Sequence, residues 1–237
     1  MERQFEHHLS NLKTRIIKMS SLVEEQLEYA IKAVDEGNKE LANLVIERDA
    51  KVNNLDRKIE KTCQKIIALS QPVAMDLRIV ITALTINTNL ERIGDLAENI
   101  ARNILVLGHK PIFIDETKYS DMIVLVKRMI EDALNSFNNQ DAGLAKKVLL
   151  MDDQLDSLFA ENRTLLIAAM KEDSSKIDEA LTILEICRHI ERIGDHATNI
   201  AEDVYFIVEA QLIKHKYEKY INDEIDLEDE GNEELDR

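Results

Sequence analysis

The sequence predicts an all-α protein, a tandem pair of antiparallel three-helix bundles related by internal duplication, and three features carry that reading. Only two prolines and six glycines occur in 237 residues, too little turn-forming material for a sandwich or barrel and enough for a few long helices. Apolar residues recur at three- and four-residue intervals over long stretches, the period of a helix with one buried face. The third feature is a repeat: Leu90 to Asn103 and Ile190 to Asp203 are identical at nine of fourteen positions at an offset of 100, with an unbroken Glu-Arg-Ile-Gly-Asp in each. Self-similarity at a fixed offset marks a repeated structural unit.

The elements follow in order. Leu12, Ile16, Met19, Val23, Leu27, Ala30 and Val34 predict a first helix that stops at Gly37, because glycine enters the left-handed conformation of a helix C-cap without a Cβ clash. A second helix carries Leu41, Leu44, Val45, Val52, Leu55 and Ile59 toward Leu69. Pro72 is expected to open the third, where its missing N–H is not needed. That helix runs through Leu77, Val80, Leu84, Ile93, Ala97, Ile100 and Ile104 to Gly108. Residues 108–115, which include Pro111, form the expected boundary. The second copy repeats the scheme over 118–138, 142–170 and from Ser174 into the region of Tyr217, with Ser174 or Ser175 capping the last helix. Asp178 and Glu179 follow near its positive end.

Upstream of the repeated pentapeptide the copies stand 103 apart: Met19, Leu22 and Val23 match Met122, Leu125 and Val126, and Asp49, Val52 and Leu55 match Asp152, Leu155 and Leu158. The change of offset places an insertion between about residues 56 and 90, where Ser70-Gln71-Pro72-Val73 faces Asp173-Ser174-Ser175-Lys176, as a surface connection allows. Short connections make neighbouring helices antiparallel. The expected domains are residues 1–108 and 115–220, followed by an acidic tail over 221–237 whose composition suits disorder.

Charge narrows the function. The formal net charge is -16, and residues 222–237 hold nine acids and one Arg. An acidic body lacks the clustered Lys and Arg that grip phosphates, so nucleic acid is excluded as a partner. Cys63 and Cys187 form no C-x-x-C pair, which fits a reducing compartment and no thiolate zinc site. The N-terminal residues carry no signal-peptide pattern and no apolar run of eighteen residues occurs, so the expected protein is cytoplasmic, without membrane insertion.

The repeated segment carries the chemistry. Glu91, Asp95 and Asn99 lie at i, i+4 and i+8 beside the apolar stripe of the third helix, and Glu191, Asp195 and Asn199 repeat the pattern. The middle helices add Asp49 with Asn53, and Asp152 with Asp156. If middle and third helices pack side by side, four oxygen-bearing side chains converge in each half, a set suited to a hard or borderline cation. Stacked carboxylates otherwise repel and raise one another's pKa. Gly94 and Gly194 sit between the acids in helix interiors, where glycine costs about 1 kcal/mol against alanine; close approach of a neighbouring backbone is the expected offset. Acids four apart are more often a solvated face, and Arg92 or Arg192 can neutralise them without a metal. Against that stands the retention of acids and glycine while neighbours diverged, Leu96 to His196 and Glu98 to Thr198. His189 and His196 share a face, yet Asn89 and Leu96 replace them in the first copy, so a surface or satisfied histidine is the expected role. No Glu-x-x-His pattern, phosphate loop or nucleophile elbow occurs.

The doubled Glu-Arg-Ile-Gly-Asp, at Glu91 to Asp95 and Glu191 to Asp195, followed by Asn99-Ile100-Ala101 and Asn199-Ile200-Ala201, closely resembles the PhoU family. So does the stretch from Ser70-Gln71-Pro72 to Asp76-Leu77-Arg78, and the likeness runs to about Tyr220. The resemblance implies a negative regulator of phosphate uptake and phosphate-starvation signalling, an adaptor between a transporter ATPase subunit and a sensor histidine kinase, usually a homodimer. It further implies multinuclear iron or zinc clusters on Asp152 with Asp156, Glu91 with Asp95, and Glu191 with Asp195; Mg2+ is a further candidate. Asn53 departs from that pattern beside Asp49, bringing an amide without charge. A metal-dependent phosphoester hydrolase and a metal-storage bundle are the competing readings.

Overall fold

The structure is a computed structural model that describes residues 2–209. Among them are six α-helices and two short 3-10 turns, and no strand. The first bundle is α1 (Glu2–Glu36), α2 (Lys39–Ser70) and α3 (Ala74–Leu107); the second is α4 (Tyr119–Asn139), α5 (Ala142–Glu172) and α6 (Ile177–Glu209). The expected tail over 221–237, and the expected run of the last helix toward Tyr217, lie outside the described residues.

The duplication extends to the turns. Gly37 ends α1 at φ +62 and Gln140, 103 residues on, ends α4 at φ +53. The next residues cap the following helices alike: Asn38 Oδ1 accepts from the Leu41 backbone N–H at 3.0 Å, and Asp141 Oδ1 from that of Leu144 at 2.9 Å. Each satisfies an N–H that the first turn leaves orphaned. Glycine is required at 37 for a second reason, since a Cβ there would stand 2.1 Å from the backbone nitrogen of Lys110. The end of α1 is thereby seated against the connection between bundles.

Two expected helix starts differ in detail. Pro72 does not begin α3; the N-cap is Val73 in an extended conformation, and the helix opens at Ala74. Proline biases the residue before it away from helix and leaves the following turn free to start later. The cap ahead of α6 is Asp173, whose Oδ1 accepts from the Ser175 backbone N–H at 2.9 Å and hydroxyl at 2.7 Å. Ser174 and Ser175 lie inside the 3-10 turn Ser174–Lys176 that precedes α6. A carboxylate is the stronger acceptor for those donors.

One continuous core joins the bundles, because α3 packs against α6. Leu90, Ile93, Ala97 and Ile100 are buried on α3, and Ile190, Ile193, Ala197 and Ile200 on α6; each large side chain so buried contributes about 1.5–3 kcal/mol. His196 Nδ1 donates to Asn89 Oδ1 at 2.9 Å across this seam. Asn89 corresponds to His189 and Leu96 to His196, so the pseudo-twofold counterpart of this bond would pair His189 with Leu96, whose side chain has no polar atom to form it. A cleft of about 290 Å³ between α1 and α4 straddles the same axis, lined by Glu24, Leu27 and Glu28 and by Lys127, Ile130 and Glu131, each 103 residues beyond its counterpart.

Candidate functional site

The predicted acids do come together, one group in each half, along the seams between α2 and α3 and between α5 and α6. In the first half Asp49 is buried on α2, 7 % exposed, and Glu91 and Asp95 are half-buried on α3. Both Asp49 oxygens accept from amides: Oδ1 from Gln26 Nε2 at 3.3 Å and Oδ2 from Asn53 Nδ2. Gln26 Nε2 also reaches the Gly94 carbonyl at 3.2 Å, so one fully buried carboxamide ties α1, α2 and α3 together. Asp56 accepts from Asn87 Nδ2. Arg92 lies 3.5 Å from Glu91 and 3.3 Å from Asp95. Burial, then the neighbouring Asp95, raises the Glu91 pKa against the opposing pull of Arg92. Burial and Asp49 raise that of Asp95.

The second half has the same layout with different balance. Met129 stands where the first half has Gln26, and Asp156 where it has Asn53, so Asp152 loses both amide donors and gains a negative neighbour. Burial, Asp156 and Asp195 push Asp152 up to about 6. Burial, Asp195 and Asp156 push Glu191 up to about 7. Asp195 is raised by burial and Asp156, and Asp156 by burial and Asp153. Among the described residues Arg192, unlike Arg92, makes no ion pair with these acids. Arg192 and Arg188 oppose the rise of Asp195 and Glu191 only in part, so the second group is a concentrated, incompletely compensated negative charge.

The glycines create the room these groups occupy. A Cβ at Gly94 would lie 3.3 Å from Val52 Cγ1 and 3.8 Å from Asp49 Oδ1; one at Gly194 would lie 2.2 Å from Leu155 Cδ2. The neighbours are side chains of the middle helix, not the closely approaching backbone that helix geometry suggested. Val52 and Leu155 are counterparts at the 103 offset, so both halves use glycine to seat the middle helix against the third.

Two participants escaped the sequence reading. Gln26 sits on the apolar stripe of α1 between Val23 and Ala30, and an amide on a core stripe is the signal that pointed to it. Glu202, 8 % exposed on α6, adds to the charge around Asp152; its counterpart is Arg102, so no repeat marked it. Asn99 and Asn199 are exposed farther along the stripe. The histidines belong to the seam between bundles: His196 bonds to Asn89, and burial, followed by Arg192, lowers the pKa of both His189 and His196.

The donor set of Asp152, Asp156, Glu191 and Asp195 is all oxygen and short of positive charge, which fits a hard or borderline cation. In these rotamers no three His, Cys, Asp or Glu side chains among the described residues are arranged to hold a metal ion, so a cation requires the exposed acids to turn inward. The first half fits less well, because amides from Gln26 and Asn53 already occupy both Asp49 oxygens.

Known proteins share both the sequence and this architecture. The model of the PhoU domain matches residues 16–104 and again residues 119–204. The chain is similar to the phosphate-specific transport system accessory protein PhoU of Serratia marcescens, 37% identical over 215 residues that cover 90% of this chain and 87% of that protein. Its likeness to the PhoU homolog of Aquifex aeolicus is 38% over 211 residues, covering 89% and 96%. Among solved structures, PhoU from Pseudomonas aeruginosa superposes with a TM-score of 0.82 at 33% identity, covering 87% of this chain and 100% of that one. The phosphate transport system regulatory protein PhoU from Streptococcus pneumoniae gives 0.78 at 29% identity, covering 88% and 98%. With each half matched separately by the same domain, and the repeated helices and their glycine-spaced acids in the order described, the chain belongs to the PhoU family.

Proposed function

We propose that this chain is a cytoplasmic negative regulator of phosphate uptake and of phosphate-starvation signalling, an adaptor between the ATPase subunit of a phosphate-specific transporter and a sensor histidine kinase. The observation that carries the reading is likeness along nine-tenths of the chain to proteins named as accessory to phosphate-specific transport. The fold gives it a physical basis. Two related faces, one from α1 to α3 and one from α4 to α6, are joined by the α3–α6 seam, and an adaptor needs two rigidly related surfaces. Pairing of two chains into a homodimer would double those faces.

Asp152, Asp156, Glu191 and Asp195 would hold a multinuclear iron or zinc cluster, or Mg2+; Asp49, Asn53, Glu91 and Asp95 form the weaker first-half counterpart. What the cation supplies is positive charge. The chain's own carboxylates then determine the shape and sign of the face offered to a partner, since neutralised acids no longer repel one another or an acidic neighbour. Exposure of Asp156 and Asp195 favours recognition over turnover in a closed site.

The test is genetic and biochemical. Deleting the gene derepresses phosphate-starvation genes in high phosphate, and tagged protein retains the transporter ATPase subunit on purification. Normal repression in the deletion strain overturns the proposal.

A further inference from the structure

The cations of this acidic chain are unevenly placed. Lys13 and Lys18 on α1 and Arg57, Lys58, Lys61 and Lys65 on α2 are all exposed. Arg15 donates to the Lys58 carbonyl and the Thr62 hydroxyl, which sets this part of α1 beside this part of α2. Lys58, Lys61 and Lys65 follow i, i+3 and i+7 and share one stripe. Among the described residues none of these six exposed cations makes an ion pair, and what sets them apart is that they lie together on adjoining stretches of α1 and α2. Near them on α1, α2 and the start of α3, the acids with described side chains include Glu6, Asp56, Glu60 and Asp76. Of these, Asp56 is turned toward Asn87 on the α2–α3 seam and Glu60 is bonded to Gln64.

The lysine stripe leads to an apolar tip. At the α2–α3 connection Leu69 is 67% exposed, Val73 73% and Met75 42%. Water-facing aliphatics beside unpaired cations are the two signals that together hold a protein on a negatively charged lipid surface. We propose that this end of the first bundle docks on an anionic membrane, with the lysines against phosphate-bearing headgroups and Leu69, Val73 and Met75 entering the headgroup boundary.

A lipid surface fits better than an acidic protein. Protein interfaces are enriched in Arg and aromatics and depleted in Lys, while five of the six exposed cations here are Lys and the tip carries no aromatic residue. Lysine is a hydrated point charge suited to diffuse attraction, where arginine provides the planar fork that reads a carboxylate. Apart from these six cations the described residues carry an excess of acids, so repulsion disfavours contact with the same surface through the other faces. No helix among the described residues is long and apolar enough to cross a membrane; the contact is peripheral.

The test is sedimentation of the full-length protein with vesicles of mixed phosphatidylglycerol and phosphatidylcholine, and with vesicles of phosphatidylcholine alone. Binding is expected to the anionic vesicles only, and to fall steeply between about 0.05 M and about 0.5 M salt as screening shortens. At about five-fold per lysine, K58Q/K61Q/K65Q loses roughly a hundred-fold in partitioning. Val73→Asp weakens binding without lowering the melting temperature, because the exposed N-cap position of α3 accepts an Asp that can cap the helix, and K32Q/K176Q binds as wild type does. Absence of wild-type binding to anionic vesicles at low salt, or equal binding by the triple lysine variant, overturns the proposal. Lysine-dependent capture of an acidic protein without vesicle binding overturns it too, and gives the face to that protein.

Discussion

Glu191→Gln tests the electrostatics of the second-half group most directly. Glu191 is pushed from 4.5 up to about 7 by burial, Asp195 and Asp156, a gap worth roughly 3 kcal/mol if fully felt. The side chain is only half-buried, so solvent screening reduces this to about 1 kcal/mol. The sign follows from which state holds the proton. A raised folded-state value means that the folded chain binds the proton more tightly than the unfolded one, so ionisation opposes folding and stability rises as pH falls from about 8 toward 5. Glutamine is neutral throughout and removes the penalty. In chelator-treated protein at pH about 8, Glu191→Gln is expected to gain about 1 kcal/mol, or 2–4 °C in melting temperature for a chain of this size. Near pH 5 the advantage disappears, because Glu191 is then protonated as well. Thermal melts of both proteins across this range decide the matter: a lower melting temperature for the variant at pH 8, or a gain that persists at pH 5, refutes the account of crowded, uncompensated carboxylates.

The halves should respond differently to matched changes. Gln26→Met installs the second-half residue in the first and strips the buried Asp49 of a donor; a loss of about 1–3 kcal/mol is expected in denaturant titration, and a neutral result would deny the carboxamide its bridging role. Gly37→Ala should cost about 2 kcal/mol or more, since its φ of +62 and the Lys110 backbone nitrogen 2.1 Å from the added Cβ both oppose a side chain; an unchanged melt contradicts the seating of α1 on the connection. Elemental analysis of protein purified without affinity metal should find iron or zinc reduced in Asp152→Asn and Asp195→Asn but little changed in Asp49→Asn. Equal loss in all three would mean that the first half holds metal despite its amides.

The helical class, the six helices, the duplication and the grouping of Glu91 with Asp95 and of Glu191 with Asp195 were legible in the chain, because each is a matter of local spacing. Gly37 and Gly108 marked helix ends for the same reason: left-handed backbone is a local requirement, met here at φ +62 and +88. Ser174 or Ser175 reads as the cap of the last helix from the chain alone, whereas Asp173 makes it, a difference that hydrogen-bond geometry decides. The divergence of the two halves lay beyond spacing. Gln26 reads as one polar residue on an apolar stripe until α1 is seen to press it against Asp49 and Gly94, and His196 reads as a surface or satisfied histidine without a partner to name until α3 supplies Asn89. Periodicity tells which face of a helix turns inward; which side chain it meets there depends on contacts between residues far apart in the chain, and those determine whether a buried carboxylate is satisfied by an amide or left to repel its neighbours.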